Sequence, residues 1–146
     1  MKEVKWTAKR LRRIAMGAAM IVFIGQSGAA FAEDVTVALS GQNEIPPVTT
    51  PATGTGTLTI GPDKSVSGKV TVTGMSGTVA HIHEAAVGSN GAIIIPLTKS
   101  SDNAWVVPTG TKLTDAQYES YKAGDLYVNV HSAANKGGEI RGQLKP

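Results

Sequence analysis

The three histidines of the 146-residue chain are the residues best suited to chemistry. His81 and His83 stand two residues apart, so on a β-strand, with about 3.3 Å of rise per residue, both imidazoles project from one face. His131 ends a second apolar stretch and can join them if the two strands are neighbours. Three neutral imidazoles predict a mononuclear site for one copper or zinc ion, with copper the tighter binder. The alternative is that they are surface histidines that only form hydrogen bonds.

Other reactive constellations are missing from the sequence. The chain contains no cysteine, which excludes disulfides, thiolate metal sites and a cysteine nucleophile. It also has no Gly-x-Ser-x-Gly motif and no glycine loop that could cradle a phosphate before a helix. Hydrolase and kinase functions are therefore not expected, and we predict no catalytic residue and no cofactor other than the metal ion.

The segments that must position the histidines alternate apolar and polar residues with a period of two. Such alternation indicates half-buried strands, and the turn residues between them are spaced as in a β-sandwich. Thr114 and Gln117 can form a capping box and Gly124 can end a helix, so residues 115–123 are predicted to form one short helix. We therefore expect an all-β, immunoglobulin-like Greek-key sandwich whose core includes Val35, Val37, Val70, Val72, Ile82, Val128, Val130, Ile140 and Leu144.

The same alternation places all three histidines off the core face. Each is out of phase with the apolar residues of its own strand, and Asn129 shares that outward phase. Replacing Val128 with Ala should therefore cost about 1–3 kcal/mol, because buried methyl groups are lost. Replacing Asn129 with Ala should cost much less.

Residues 1–32 have the layout of a signal peptide. A basic region ends at Arg13, an apolar run extends from Ile14 to Ile24, and Ala30 and Ala32 supply the small residues that signal peptidase requires. The apolar run is shorter than the roughly 20 residues of a membrane-spanning helix. We therefore expect cleavage after Ala32, no membrane attachment afterwards, and a periplasmic or secreted domain of residues 33–146.

The net charge of +3 reflects the leader rather than the domain. Six of the 14 basic residues but only one of the 11 acidic residues lie within residues 1–32, so eight basic and ten acidic residues follow. The domain also has no basic cluster. A nucleic-acid partner is therefore not expected.

Four stretches of the chain form a recognisable set: residues 39–48 (LSGQNEIPPV), 80–83 (AHIH), 126–131 (LYVNVH) and 137–144 (GGEIRGQL). Together they resemble the CHRD domain, a module named after chordin that also occurs as a stand-alone exported bacterial protein. The resemblance covers essentially all of residues 33–146. It implies an immunoglobulin-like β-sandwich distantly similar to copper/zinc superoxide dismutase, and it favours a binding module without a settled activity.

Two functions are compatible with this resemblance. The first is a non-enzymatic module that binds copper, zinc or a partner protein through the outward histidines. The second is a mononuclear copper enzyme of dismutase type, in which His81 and His83 look like the paired copper ligands and His131 like the later one. The histidine that bridges the two metals of that enzyme has no counterpart here, because the chain has only three histidines. A two-metal site is therefore excluded, and the binding module is favoured.

Arg141 bears on the choice between these functions. A dismutase needs a cation near the metal to steer superoxide, and Arg141 could supply it. Its alternative role is structural, as a bidentate partner of Glu44 or Glu84 that fixes the amino-terminal segment against the last strand. The structural role is the favoured one.

Overall fold

The computed structural model of the protein describes residues 31–146, so the predicted signal peptide lies outside them apart from its last two residues. No helix within this part of the chain is long and apolar enough to cross a membrane. The described chain forms one helix, α1 (Asp115–Ala123), one 3₁₀ turn (Gly41–Asn43), and nine strands. The strands are β1 (Glu33–Ser40), β2 (Thr53–Ile60), β3 (Val66–Thr73), β4 (Gly77–Glu84), β5 (Ala92–Pro96), β6 (Thr98–Ser101), β7 (Ala104–Val106), β8 (Leu126–Ser132) and β9 (Ile140–Leu144).

All nine strands belong to one antiparallel sheet that folds back on itself. Their order is β5-β4-β8-β9-β1-β2-β3-β7-β6. The connections from β3 to β4 and from β7 to β8 therefore join strands that are not neighbours in the sheet. Leu97 alone separates the terminal strands β5 and β6, and its amide donates a 2.9 Å hydrogen bond to the Ala80 carbonyl. The sheet is therefore nearly closed around a single interior, which confirms the all-β prediction.

The interior is filled by the residues that the alternation predicted. All nine predicted core residues are buried, and Val70, Val128, Val130, Ile140 and Leu144 have no measurable exposure. Apolar side chains from both halves of the sheet meet in this one cluster. Burial of their apolar surface is the main force that holds the two halves together.

The predicted helix is present over the expected residues. The Thr114 hydroxyl accepts a 3.2 Å hydrogen bond from the Gln117 amide, and the Gln117 side chain accepts one of 2.9 Å from the Thr114 amide. Gly124 ends the helix in the left-handed region, with φ of 81°. The capping box and the glycine stop are therefore both confirmed.

Strands β5, β6 and β7 were not predicted. β6 and β7 have only four and three residues, and β5 contains three consecutive isoleucines, so none of the three shows a clear period of two. They nevertheless complete the interior, since Trp105 of β7 is among the largest fully buried side chains. A Cβ atom on Gly77 would collide with its indole ring, so the glycine makes room for the tryptophan.

The outer faces of the two halves differ. We call β1, β2 and β3 the exposed half, because the threonines that project outward from it at positions 36, 55, 57 and 71 are exposed to solvent. We call β4, β8 and β9 the covered half, because six of the seven residues of β8 and four of the five residues of β9 are buried. The covered half therefore has a second buried layer on its outer side.

Candidate metal centre

The register of β4 and β8 brings the two histidine-bearing strands side by side. These strands pair antiparallel, with His81 opposite Asn129 and His83 opposite Tyr127. His131 lies two residues beyond Asn129 on the same strand face. The three histidines therefore lie on the outer side of the covered half, away from the apolar core, as the alternation predicted.

The three imidazoles are close enough to share one ion. One ligand nitrogen from each of His81, His83 and His131 lies within 4.8 Å of the other two, and His81 Nδ1 is 3.2 Å from His131 Nε2. Metal–nitrogen bonds of about 2.0–2.1 Å place tetrahedral ligand atoms about 3.3 Å apart. Small side-chain rotations would therefore suffice, and the three residues could hold a metal ion.

Backbone carbonyls fix the orientation of two of the rings. The Nδ1 atom of His83 donates to the Gly91 carbonyl at 3.0 Å, and that of His131 donates to the Lys136 carbonyl at 2.7 Å. A carbonyl can only accept, so in the neutral rings the proton is on Nδ1 and the lone pair on Nε2. Metal-ligating histidines commonly have such a partner on the other ring nitrogen.

The environment of the rings favours their neutral form. Burial, together with repulsion from His131 and His83, lowers the pKa of His81 from 6.5 to about 4. Burial also lowers the pKa of His83, against the opposing effect of its hydrogen bonds to Gly91 and Asn129. Both rings are therefore neutral near pH 7, and neutral imidazole is the form that binds metals.

The outward direction of these side chains does not mean exposure to solvent. His83 is only 7% exposed and Asn129 only 2%, while His81 and His131 are half-buried. The reason for expecting a small cost at Asn129 therefore no longer applies, because its side chain is enclosed and contacts two histidines.

Two loops cover this face and are tied to each other. The Asn90 side chain donates to the Ile45 carbonyl at 3.0 Å, which links the loop after β4 to the segment after the 3₁₀ turn. The Gln143 side chain of β9 also donates to the Ala85 carbonyl, at the start of the loop after β4, at 2.9 Å, and to the Gly124 carbonyl, at the end of α1, at 2.8 Å. The alternation of β8 and β9 gives the face, but these loops, distant in sequence, decide that it is buried.

Arg141 does not form the carboxylate bridge that the sequence suggested. No oxygen of Glu44 or Glu84 lies within ion-pair distance of its guanidinium; the group donates instead to Asn90 Oδ1 at 3.1 Å and to the Ser89 carbonyl at 2.8 Å. Glu84 accepts a 2.6 Å hydrogen bond from Ser120 of α1. The prediction of a bidentate bridge is wrong, because neutral acceptors of the covering loop take the guanidinium donors.

Arg141 is also part of a stack that ends at the metal-ligand candidates. Its guanidinium carbon lies 3.4 Å from the centroid of the Tyr127 ring. The same ring stacks on His83, with the centroids 4.7 Å apart and the planes 5° from parallel. Arg141 is 2% exposed. The stack keeps the His83 ring parallel to the Tyr127 ring and places a permanent buried cation on the far side of Tyr127 from His83.

A buried carboxyl group lies on the other side of Asn129. Glu44 is 5% exposed, and its Oε1 makes no hydrogen bond of normal geometry. Burial raises the pKa of Glu44, although the Arg141 cation and the Asn129 amide favour its charged form. Gly138, with φ of 132°, allows this approach, because a Cβ atom there would collide with both Glu44 and Asn129.

Tyr127 and Asn129 are the site residues that the sequence analysis missed as participants. The strand phase could have identified them, because Tyr127 and Asn129 lie four and two residues before His131 and therefore project from the same face. What was not available was the register with β4, which sets them opposite His83 and His81.

Comparisons with known proteins agree with the sequence motifs. No curated protein matches the chain. No solved structure matches it either. The model of the CHRD domain matches residues 35–144, which is most of the chain and includes every strand that carries the histidine cluster. The chain therefore belongs to the CHRD domain family.

Proposed function

We propose that this CHRD-domain protein is an exported, non-enzymatic module that binds one copper or zinc ion through His81, His83 and His131. The single observation that carries the proposal is the convergence of one nitrogen from each ring to within 4.8 Å. Three histidines from two strands, separated by up to 50 residues in sequence, meet at one point.

The hydrogen bonds around the rings support a ligand role. Histidines that only decorate a surface need no fixed tautomer. Here the carbonyls of Gly91 and Lys136 orient the rings of His83 and His131 so that their Nε2 lone pairs face the cluster. The half-buried His81 ring offers a route by which an ion could enter.

The position of Arg141 favours a binding module over a dismutase. A steering cation has to be felt by an anion that approaches from solvent. Arg141 is almost fully buried and lies behind the Tyr127 ring. We expect the copper-loaded protein to consume superoxide no faster than a mixture of the metal-free protein with the same copper held by a chelator. Rapid superoxide decay in a pulse-radiolysis measurement would instead establish the enzyme.

Export is a further part of the proposal, supported by the layout of residues 1–32. Cleavage after Ala32 places Glu33 at the amino terminus, immediately at the start of β1. We expect mass spectrometry of the protein purified from its native compartment to find this terminus. A chain that retains Met1 in the periplasmic or secreted fraction would contradict it.

Metal binding is tested by calorimetric titration of the metal-free protein with Cu(II) and with Zn(II). We expect one ion per chain for the wild type, and a loss of most affinity in His81→Ala, His83→Ala and His131→Ala, because two imidazoles hold a metal weakly. Val79→Ala is the matched control, since Val79 lies on the same strand but is 45% exposed and offers no ligand. Identical titrations of all five proteins would refute the metal site and leave a protein partner as the ligand of the module.

A further inference from the structure

The Asn129 side chain lies inside the histidine cluster. Its Oδ1 atom is 3.0 Å from His83 Nε2 and 3.0 Å from His131 Nε2. The side chain is 2% exposed. It therefore shares one enclosed space with the nitrogen atoms that could bind the metal.

The Asn129 amide presents its oxygen to the histidines and its nitrogen to the opposite side. The Nδ2 atom points to the Gly137 carbonyl, at 3.5 Å, and to the carboxyl group of Glu44. Both of these neighbours present oxygen acceptors. In this orientation Nδ2 faces these oxygens and Oδ1 faces the histidines, whereas a reversed amide would set Oδ1 against the oxygens of Gly137 and Glu44.

This orientation brings together atoms that carry lone pairs and no proton. The Nε2 atoms of His83 and His131 are unprotonated in the neutral rings, because the protons are on Nδ1 and donated to carbonyls. The amide oxygen of Asn129 is an acceptor as well. The Asn129 oxygen thus faces two nitrogen lone pairs at 3.0 Å with no hydrogen in either contact, an arrangement that a cation bound to all three atoms would stabilise.

We propose that Asn129 is the fourth ligand of the metal ion and that its Oδ1 completes a donor set of three imidazole nitrogens and one amide oxygen. The inference rests on the proposed function, since it concerns the same ion. Three of the separations, from Oδ1 to His83 Nε2 and to His131 Nε2 (3.0 Å each) and from His131 Nε2 to His81 Nδ1 (3.2 Å), are close to the roughly 3.3 Å expected between ligands of a tetrahedral site. The three histidines offer ligand atoms within 4.8 Å of one another, so binding would draw these atoms closer together around the ion.

A fourth protein ligand has a functional consequence. Catalytic zinc and copper sites keep one position open for water or substrate, whereas closed four-coordinate sites hold the ion structurally or store it. With Asn129 in place, His81, His83, His131 and Asn129 close the site. A closed site fits a module that binds metal better than an enzyme that exchanges a substrate at the metal.

The test uses two substitutions with opposite expected effects. Asn129→Ala removes the oxygen and should weaken Zn(II) binding by about tenfold or more, whereas Asn129→Asp supplies a carboxylate oxygen and should tighten it by a similar factor. In the Cu(II) form, azide should bind to Asn129→Ala more tightly than to wild type and give a new charge-transfer band, because a position has been vacated. Ser132→Ala is the control, since Ser132 is a buried polar residue of the same strand outside the cluster.

The outcomes separate this inference from the proposed function. If the wild type binds no metal, both fail. If the histidine variants lose the metal while both Asn129 variants keep wild-type affinity and azide response, only the fourth ligand is refuted. A residue that merely positions the histidines predicts weaker binding in both variants, and that result would also overturn the inference. Should Asn129→Ala fail to fold, the direction of the change in Asn129→Asp decides.

Discussion

The exposed and covered halves of the sheet have the same inner face and opposite outer faces. In β1, β2 and β3 the outward positions are mostly threonines, with a few other small or charged residues such as Lys69, and nearly all of them are exposed to solvent. Only the inward positions are enclosed. In β4, β8 and β9 the outward positions are histidine, tyrosine, asparagine and arginine, and most of them are buried under two loops. The alternation within a strand thus predicts which residues face the apolar core. Whether the polar residues on the other face are buried depends on loops that come from elsewhere in the chain.

The physical cost of the two outer faces differs as well. A threonine in water needs no protein partner, but each polar group in the covered layer must be hydrogen-bonded to offset its lost hydration. Arg141, Gln143 and His83 all meet this requirement through backbone carbonyls of the loops. The covered face is therefore a fixed arrangement, and that rigidity is what a preorganised ligand set requires.

The largest effect should come from Arg141→Ala in the covered layer. We expect a loss of about 3–5 kcal/mol in the free energy of unfolding, because Ser89 and Asn90 lose a buried donor and the face of Tyr127 loses its packing partner. Lys69→Ala, on the outer face of the exposed half, should change it by less than about 0.5 kcal/mol. Urea unfolding measures both, and similar costs would mean that the two outer faces do not differ energetically.

The second comparison uses adjacent residues of β8. Val128 is fully buried in the core and Asn129 is 2% exposed in the covered layer. Val128→Ala should cost about 1–3 kcal/mol through lost methyl groups and the space left behind. Asn129→Ala should cost a similar amount in the metal-free protein, since it leaves a space in an enclosed layer and removes the amide that faces the Gly137 carbonyl. A near-zero cost for Asn129→Ala would show that the outer layer contributes little to stability.

A smaller effect is expected from pH in the metal-free protein. Because the pKa of His81 is lowered to about 4 in the folded protein from 6.5, the unfolded chain binds more protons between these values. Stability should therefore be fully present above about 6.5 and decrease as the pH falls towards 4, and His83 should act in the same direction. Glu44, whose pKa is raised, opposes this trend.

Thermal unfolding from pH 7.5 to 4.5 tests this pH dependence, with His81→Gln as the informative variant. Its melting temperature should fall less steeply with acidity than that of the wild type. A wild-type slope in His81→Gln would mean that His81 is not the group responsible for the pH dependence.

The smallest effect is expected at Thr57 on the exposed half. Thr57→Val keeps the β-branched shape that suits a strand and removes only a hydroxyl group that faces water. We expect a change in unfolding free energy within about 0.5 kcal/mol. A larger loss would indicate that the threonine face contributes to stability through contacts beyond simple solvation.

The sequence by itself determined the inner layer of this protein and the helix. All nine residues that the alternation predicted for the core are buried, and the capping box and Gly124 placed the helix over residues 115–123. Both signals are local, since strand phase and helix capping depend on residues within a few positions of one another. The same phase put the three histidines off the core face.

Only the tertiary structure decided what surrounds the histidines. The pairing of β4 with β8 set Asn129 opposite His81, and the loop after β4 placed the Gly91 carbonyl on His83. The same loop, 51 and 52 residues from Arg141 in sequence, took the donors of that residue. These contacts have no local periodicity, because a loop covers a strand face through the path of the whole chain. For the same reason the short strands β5 to β7 and the position of Asn129 between His83 and His131 are visible only in the tertiary structure.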